Sequence, residues 1–242
     1  MSTMPAHGRW VDFAGTRRLL TWYQQLRALG IQGVCVDAMT DGWQQDYHRA
    51  GEAGLARMVF QGYYAPLWAD VAQARPRAEQ IVPALEAVGY QGTVWLDCEA
   101  MDGLSDQQAI DWINAWAETV EAALGKGTSG IYVGAGVPLT GTQLYQDLIV
   151  THYWRSASQV PAVATRGYQG VQHLPLETDL AGYAVDLDDW GPDLLGAFAQ
   201  AMPGVAVPAA VPADGTAQVA QLAQRLAAVE ATLARVRRAW TG

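Results

Sequence analysis

The sequence predicts an α/β fold, a TIM-like barrel of eight strands with full helices in its first five units and thin or absent ones in its last three, followed by a C-terminal coiled-coil helix. Three observations predict it. Short β-type runs alternate with longer helical runs from Gly8 to Gln200, the pattern of parallel βα units. Acidic residues recur at the ends of those runs, where a parallel barrel keeps its reactive groups. The later strand candidates are separated by loops of 13 and 10 residues, too short for full crossover helices.

Taken in order, the first run is Trp10 to Phe13, followed by a helix over about Thr16 to Leu29 with Gly30 as its stop. The second, Gly33 to Asp37, precedes a helix over Trp43 to Ala53 that ends at Gly54. The third, Arg57 to Tyr64, leads through Ala65-Pro66 to a helix reaching Val88, with Pro76 and Pro83 as candidate kinks. The fourth, Thr93 to Met101, precedes a helix that Ser105 and Gln108 open as a capping box, and whose Ile113, Trp116, Val120 and Leu124 form one apolar stripe. The fifth, Ser129 to Gly134, has a short helix after it over Thr140 to Leu148. Strands over Leu148 to Trp154, Tyr168 to His173 and Ala184 to Leu187 complete the eight, and a helix is expected from Pro192 to Met202. The barrel domain is then 1–202. Residues 203–218, with Pro203, Pro208, Pro212 and Gly215 among small residues, read as a linker, and 219–242 as the coiled coil. There Val219, Leu222, Leu226, Val229, Leu233, Val236 and Trp240 recur at alternating spacings of three and four, and Leu at a with Val at d leans toward a trimer or tetramer through 219–240.

The net charge of −9 argues against nucleic acid or an anionic membrane as partner, and no run approaches a membrane span. The first residues carry neither the basic nor the apolar region of a signal peptide, so synthesis is expected in the cytoplasm. Cys35 and Cys98 sit within strands and read as small buried hydrophobes. His152 and His173 lack a third ligand at metal spacing, and no metal or cofactor is expected. Ten tryptophans are an excess that gives weak support for a carbohydrate ligand, since indole faces stack on sugar rings.

The fourth strand carries the chemistry. Asp97 and Glu99 are two residues apart and share a face with Trp95. Two acids so placed in a low-dielectric site are pushed apart in pKa, one of them keeping its proton, as general acid catalysis on a glycosidic bond requires. Asp12 ends strand one and Asp186 lies in strand eight, neighbours in a closed barrel, so these two would stand side by side. Asp37, ending strand two, reads as a loop-orienting acid.

The order of an Asp on strand one, G-Y-Y on strand three, apolar-Asp-x-Glu on strand four, I-Y-V-G on strand five, a late Tyr-Trp strand, V-Q-H, and finally V-D-L-D resembles the glycoside hydrolase family 25 muramidases and the related bacterial and phage glycoside-hydrolase-like domains. The likeness covers about residues 8–200. It implies a peptidoglycan hydrolase in which Glu99 is the general acid, Asp97 supports the transition state, and Asp12 and Asp186 complete an acidic cleft. It further implies that Tyr63, Tyr64, Tyr132, Tyr153, Trp154 and Gln172 line sugar subsites, with the β-1,4 bond of peptidoglycan as substrate. Members of that family commonly carry Asn where this chain has Asp188, and His where it has Tyr64. A lysin of this kind would be phage-encoded, virion-associated or released on lysis, and would act at the bacterial cell wall. The alternative is a catalytically weak or inactive glycan-binding component of a virion or cell-surface appendage, held in an oligomer by its C-terminal helix.

Overall fold

The structure, a computed structural model, describes residues 3–15, 18–62, 68, 70–191 and 198–200. These belong to the first of the chain's two units, 1–205. The expected linker and coiled coil, the start of the first helix at Thr16 and Arg17, the sugar-site candidates Tyr63 and Tyr64, and residues 192–197 lie outside the described residues.

Eight strands close a barrel: β2 (Gly8–Phe13), β3 (Gly33–Asp37), β4 (Ala56–Gln61), β5 (Val94–Cys98), β6 (Ser129–Val133), β7 (His152–Arg155), β8 (Gly170–Gln172) and β10 (Tyr183–Trp190). The ring runs β4-β3-β2-β10-β8-β7-β6-β5 and closes by pairing of β5 with β4. Among the described residues, three short strands lie outside it. β1 (Thr3–Pro5) pairs with β11 (Phe198–Gln200), β11 joins the edge of β4, and β9 (Thr178–Leu180) makes a hairpin with β10. The strand at Phe198–Gln200 replaces that part of the helix expected over Pro192 to Met202; its backbone groups are satisfied by β1 and β4 rather than within a helix.

Helices α1 (Leu20–Ala28), α2 (Trp43–Glu52), α3 (Ala74–Ala87), α4 (Asp106–Leu124) and the short α5 (Gly141–Gln146) follow the first five barrel strands. Pro76 sits in the first turn of α3, where its missing N–H is no loss, while Pro83 is carried inside the helix. The capping box forms as expected: Ser105 Oγ accepts from the Gln108 amide, and Gln108 Oε1 accepts from the Ser105 amide. A second box, Thr140 with Gln143, opens α5. Among the described residues no helix is long and apolar enough to cross a membrane.

The last barrel strand departs from the all-parallel expectation. Seven strands run parallel, but β10 is antiparallel to both β2 and β8. The cause is chain length. Only residues 173–182 separate β8 from β10, and part of that span is spent on the β9 hairpin. A parallel return needs about a dozen residues or more, so the chain re-enters the sheet from the same end.

Alternation along the strands divides the core in two. Outward positions such as Val11, Val34, Leu96, Ile131 and Tyr153 pack under the helices. Inward positions hold Trp10, Cys35, Met58, Trp95, Trp154 and Trp190. The large indoles fit because a glycine faces each in register: Gly33 beside Trp10, Gly130 beside Trp95, Gly170 beside both Trp154 and Trp190. A Cβ added at Gly33 or Gly130 would sit 2.6 and 2.7 Å from the ring of its partner. The tryptophan excess is therefore a packing device: every described tryptophan is at most 4% exposed, and Trp154 alone among them borders the cavity described below. The carbohydrate reading drawn from the tryptophan count gains no exposed indole platform among the described residues.

Candidate active site

Above the tryptophan layer, at the rim where β2 to β8 end, the barrel opens into a cavity of about 420 Å³. Asp12, Asp97, Glu99 and Asp186 all line it, together with Tyr132, Trp154 and Gln172. The strands bring them together through a shared inward parity. Asp12 follows Trp10 by two residues, Asp97 and Glu99 follow Trp95, and Tyr132 follows Gly130. Asp186 reaches the rim in the opposite chain direction. It lies in the first half of antiparallel β10, in register with Asp12, and not at a strand's C-terminal end as a parallel barrel would have it.

Glu99 stands where β5 stops. Its carbonyl accepts from Trp68 Nε1 at 2.9 Å, and Ala100, with φ of 50°, turns the chain away and donates its N–H to Ala135 O. A left-handed alanine costs about 1–2 kcal/mol, and that strain marks the point at which Glu99 is aimed inward. Gly134 on the adjoining segment leaves the space for it, since a Cβ there would lie 2.4 Å from Glu99 Cβ. Burial raises the Glu99 carboxyl above the usual range, and the charge of Asp186 adds to the rise.

Gln172 ties the cluster together. Tyr132 donates its hydroxyl to Gln172 Oε1 at 2.8 Å, and the Ala157 amide also points at that oxygen. This fixes the amide so that Nε2 donates to Asp12 Oδ2 and to Asp186 Oδ2, each at 3.2 Å. One amide group thus steadies two carboxylates. Asp186 Oδ1 also accepts from the Glu177 amide at 2.6 Å. Asp186 is raised by burial, an effect the Glu177 amide partly offsets and the Glu177 charge reinforces. Asp12 is raised by burial to about 7, against a lowering by its hydrogen bonds to Asp188 and Gln172. The Tyr132 hydroxyl is pushed far up by burial and then by the acids around it, so it stays a neutral donor.

Trp154 takes the expected position with its edge on the cavity, its Nε1 donating to Asp188 Oδ1 at 2.8 Å. Tyr153 does not. Adjacent residues of a strand face opposite sides, and Tyr153 lies under the helices with its hydroxyl donating to the carbonyls of Leu144 and Val150 at 2.7 and 2.8 Å. A sugar-lining role for Tyr153 is accordingly withdrawn. Asp37 holds loops: its carboxylate accepts from the Met39 and Gly62 amides at 2.9 and 3.1 Å and from the Thr40 hydroxyl. His152 is buried beside Trp95 with Nε2 against Gly127 O, whereas His173 forms an exposed pair with Asp189. Both cysteines are buried and unbridged.

Sequence reasoning missed Phe60 and Glu177 among the lining residues, along with Phe13, Ala14, Ala184 and Val185, which flank Asp12 and Asp186. Phe60 is legible as the inward neighbour of Met58, but Glu177 sits in a loop with positive φ that only the tertiary fold brings to the rim.

No protein-family model matches the chain. No characterised protein matches it by sequence. Solved structures do match it. A Tat-secreted protein of Mycobacterium tuberculosis, in complex with L-tartrate, superposes with a TM-score of 0.59 at 14% identity over 80% of this chain and 99% of that one. A glycosyl hydrolase 25 of Streptococcus pneumoniae described as a virulence factor in host cell invasion gives 0.55 at 16% identity, covering 76% and 87%. The catalytic domain of an endolysin from a bacteriophage of Listeria monocytogenes gives 0.57 at 12% identity, covering 78% and 96%. At such identities the likeness is one of fold: this chain has the barrel that a glycosyl hydrolase 25 and an endolysin catalytic domain also have.

Proposed function

We propose that the chain is a peptidoglycan hydrolase that cleaves a β-1,4 glycosidic bond of the bacterial cell wall, with Glu99 as general acid. The observation that carries this is Glu99 itself: a half-buried carboxyl aimed into the cavity, held above its ordinary pKa by burial and by Asp186, with Asp97 two residues before it on the same face. A carboxyl that keeps its proton can deliver it to the leaving glycosidic oxygen as the C–O bond breaks, while Asp97, Asp12 and Asp186 offset positive charge developing at the anomeric carbon. Water supplies the hydroxyl of the new reducing end and returns a proton to Glu99. Tyr132, Trp154 and Gln172 bound the space the sugar would fill. The shared barrel of a glycosyl hydrolase 25 and an endolysin domain supports the choice of cell-wall glycan. Action would then be outside the cytoplasm, and the 219–240 heptads would gather three or four chains or dock on a virion or appendage protein.

The test is release of reducing ends from purified peptidoglycan by wild type and Glu99→Gln. The variant is expected to fold normally and to lose about 10²- to 10⁴-fold in rate. A folded Glu99→Gln protein that solubilises walls as fast as wild type sinks the assignment.

A second reading, a barrel that binds glycan without turning it over, draws support from the structural neighbour described by its secretion and its bound tartrate rather than as a hydrolase. Sedimentation of the protein with cell walls, without new reducing ends, would favour it.

A further inference from the structure

One carboxylate near the cavity is not accounted for by the proposed chemistry. Asp188 lies on β10 one inward step below Asp186, in register with Gln172 on β8 and Trp10 on β2, and is 0% exposed. Its Oδ1 accepts from Trp154 Nε1, whereas its Oδ2 is buried with no donor among the described residues. The Asp12 carboxyl lies within hydrogen-bonding contact of the Asp188 carboxyl, and with Oδ1 held by the indole, Oδ2 is the oxygen left for that contact. The titratable groups around it are Asp12 on β2, Cys35 on β3 and Asp186 on β10, with Glu99 of the β5 end acting on Asp12, and all are acids. Two carboxylates in contact on top of a tryptophan layer cannot both be ionised. A proton between them resolves both the contact and the orphaned oxygen.

The position of that proton follows from what each partner has. Asp12 borders the cavity and accepts from Gln172, so its anion has a second donor. Asp188 has no route to solvent and only the indole N–H, so its anion is the costlier of the two. We infer that Asp188 is a positioning residue that keeps a proton on Oδ2 and donates it to Asp12, acting as a neutral hydrogen-bond donor beneath the acidic rim. Burial and the neighbouring Asp12 charge raise Asp188 well above the carboxylate range, in accord with this. With one donor from Asp188 and one from Gln172, Asp12 is fixed in orientation, and Gln172 carries the same restraint on to Asp186.

The role for the pair at the rim rests on the function proposed above, but the location of the proton does not, and the experiment separates them. Infrared difference spectra are recorded on Glu99→Gln protein, so that the general acid contributes no band, and at about pH 9, where a carboxyl titrating near 7 is ionised. This background is expected to show the C=O stretch of a protonated carboxyl, shifted in D2O; the band should persist when Asp12→Asn is added and vanish when Asp188→Asn is added. Absence of the band in the Glu99→Gln background, or its loss on adding Asp12→Asn, overturns the inference, and these two readings decide the matter even if the Asp188→Asn form fails to fold. Activity gives the second arm. Removing the donor in Asp188→Leu destabilises the Asp12 anion and moves the acid limb of the rate profile upward, and Asp188→Asn, which retains a neutral donor, brings it back. An unmoved limb in an active Asp188→Leu protein overturns the positioning role. Absence of hydrolysis in all forms, with the band in place, counts against the proposed function and leaves the proton where it is assigned.

Discussion

The lower and upper halves of the barrel interior are built from the same inward positions of the same strands, and they differ in everything else. Below, Trp10, Trp95, Trp154 and Trp190 meet at centroid separations of 5.1 to 6.1 Å with glycines opposite them. Above, two residues further along their strands, stand Asp12 and Asp97 and, reached from the other direction, Asp186 in register with Asp12. The contrast teaches how the site gets its chemistry. Carboxylates on a wet surface would keep ordinary pKa values. Placed on a dry aromatic floor, Asp12, Glu99 and Asp186 are raised by desolvation first, with the charge of neighbouring carboxylates adding to the rise.

Breaking the floor should have the largest effect on stability. Trp95→Ala removes a fully buried indole and is expected to cost about 3–5 kcal/mol, read as a lowered midpoint in urea denaturation. A loss below about 1 kcal/mol would mean that the interior refills and that the Trp–Gly register is not what sets it.

Gly134→Ala probes the seam between floor and rim. The new methyl would meet Glu99 Cβ, so activity should fall by about 10²-fold, the cost of displacing a catalytic group by about 1 Å, with only a modest loss in thermal midpoint. Equal fractional losses in activity and stability would argue that the residue serves packing alone.

Asp12→Asn sharpens the electrostatic side. Because the folded state raises this carboxyl from 3.8 to about 7, it binds more protons than the unfolded chain between those limits. Its contribution is therefore fully present below about pH 4 and is lost as pH rises through about 7. Replacing it with a neutral amide should leave the thermal midpoint nearly unchanged at pH 4 and raise it at pH 8. A midpoint raised at pH 4 and unchanged at pH 8 would reverse the sign and refute the burial argument.

The smallest effect is expected from Ala100→Gly. Glycine accepts the positive φ without strain, a gain of up to about 1 kcal/mol set against the greater freedom it gives the unfolded chain. Calorimetry would show a midpoint equal to or slightly above wild type, and a marked drop would show that the turn after Glu99 depends on the alanine methyl.

Much of this was legible in the chain. The alternation of runs marked all eight barrel strands, the acids that close them marked Asp12, Asp97 and Glu99, and the acid within the eighth run marked Asp186, because period-two patterning and strand ends are local properties. Local patterning misled where the answer depended on what lay opposite. The tryptophan count lent weak support to a sugar ligand, whereas the glycines facing Trp10, Trp95, Trp154 and Trp190 account for those indoles by packing, and Tyr153 read as a subsite beside Trp154 until the strand's parity turned it outward. The role of Asp188 was illegible for the same reason: a charge near the rim in sequence became a buried group in contact with Asp12 only when antiparallel β10 was laid beside β2.

The sequence by itself determined the kind of barrel, the shortening of its last third and the strand ends where the carboxylates fall, since each follows from residue spacing and from how far a short connection can reach. Only the tertiary structure decided the direction of β10, the clamp of Gln172 on two acids and the proton-sharing contact beneath them. Those depend on register across strands distant in sequence, and on a dielectric that exists only once the tryptophan layer has closed.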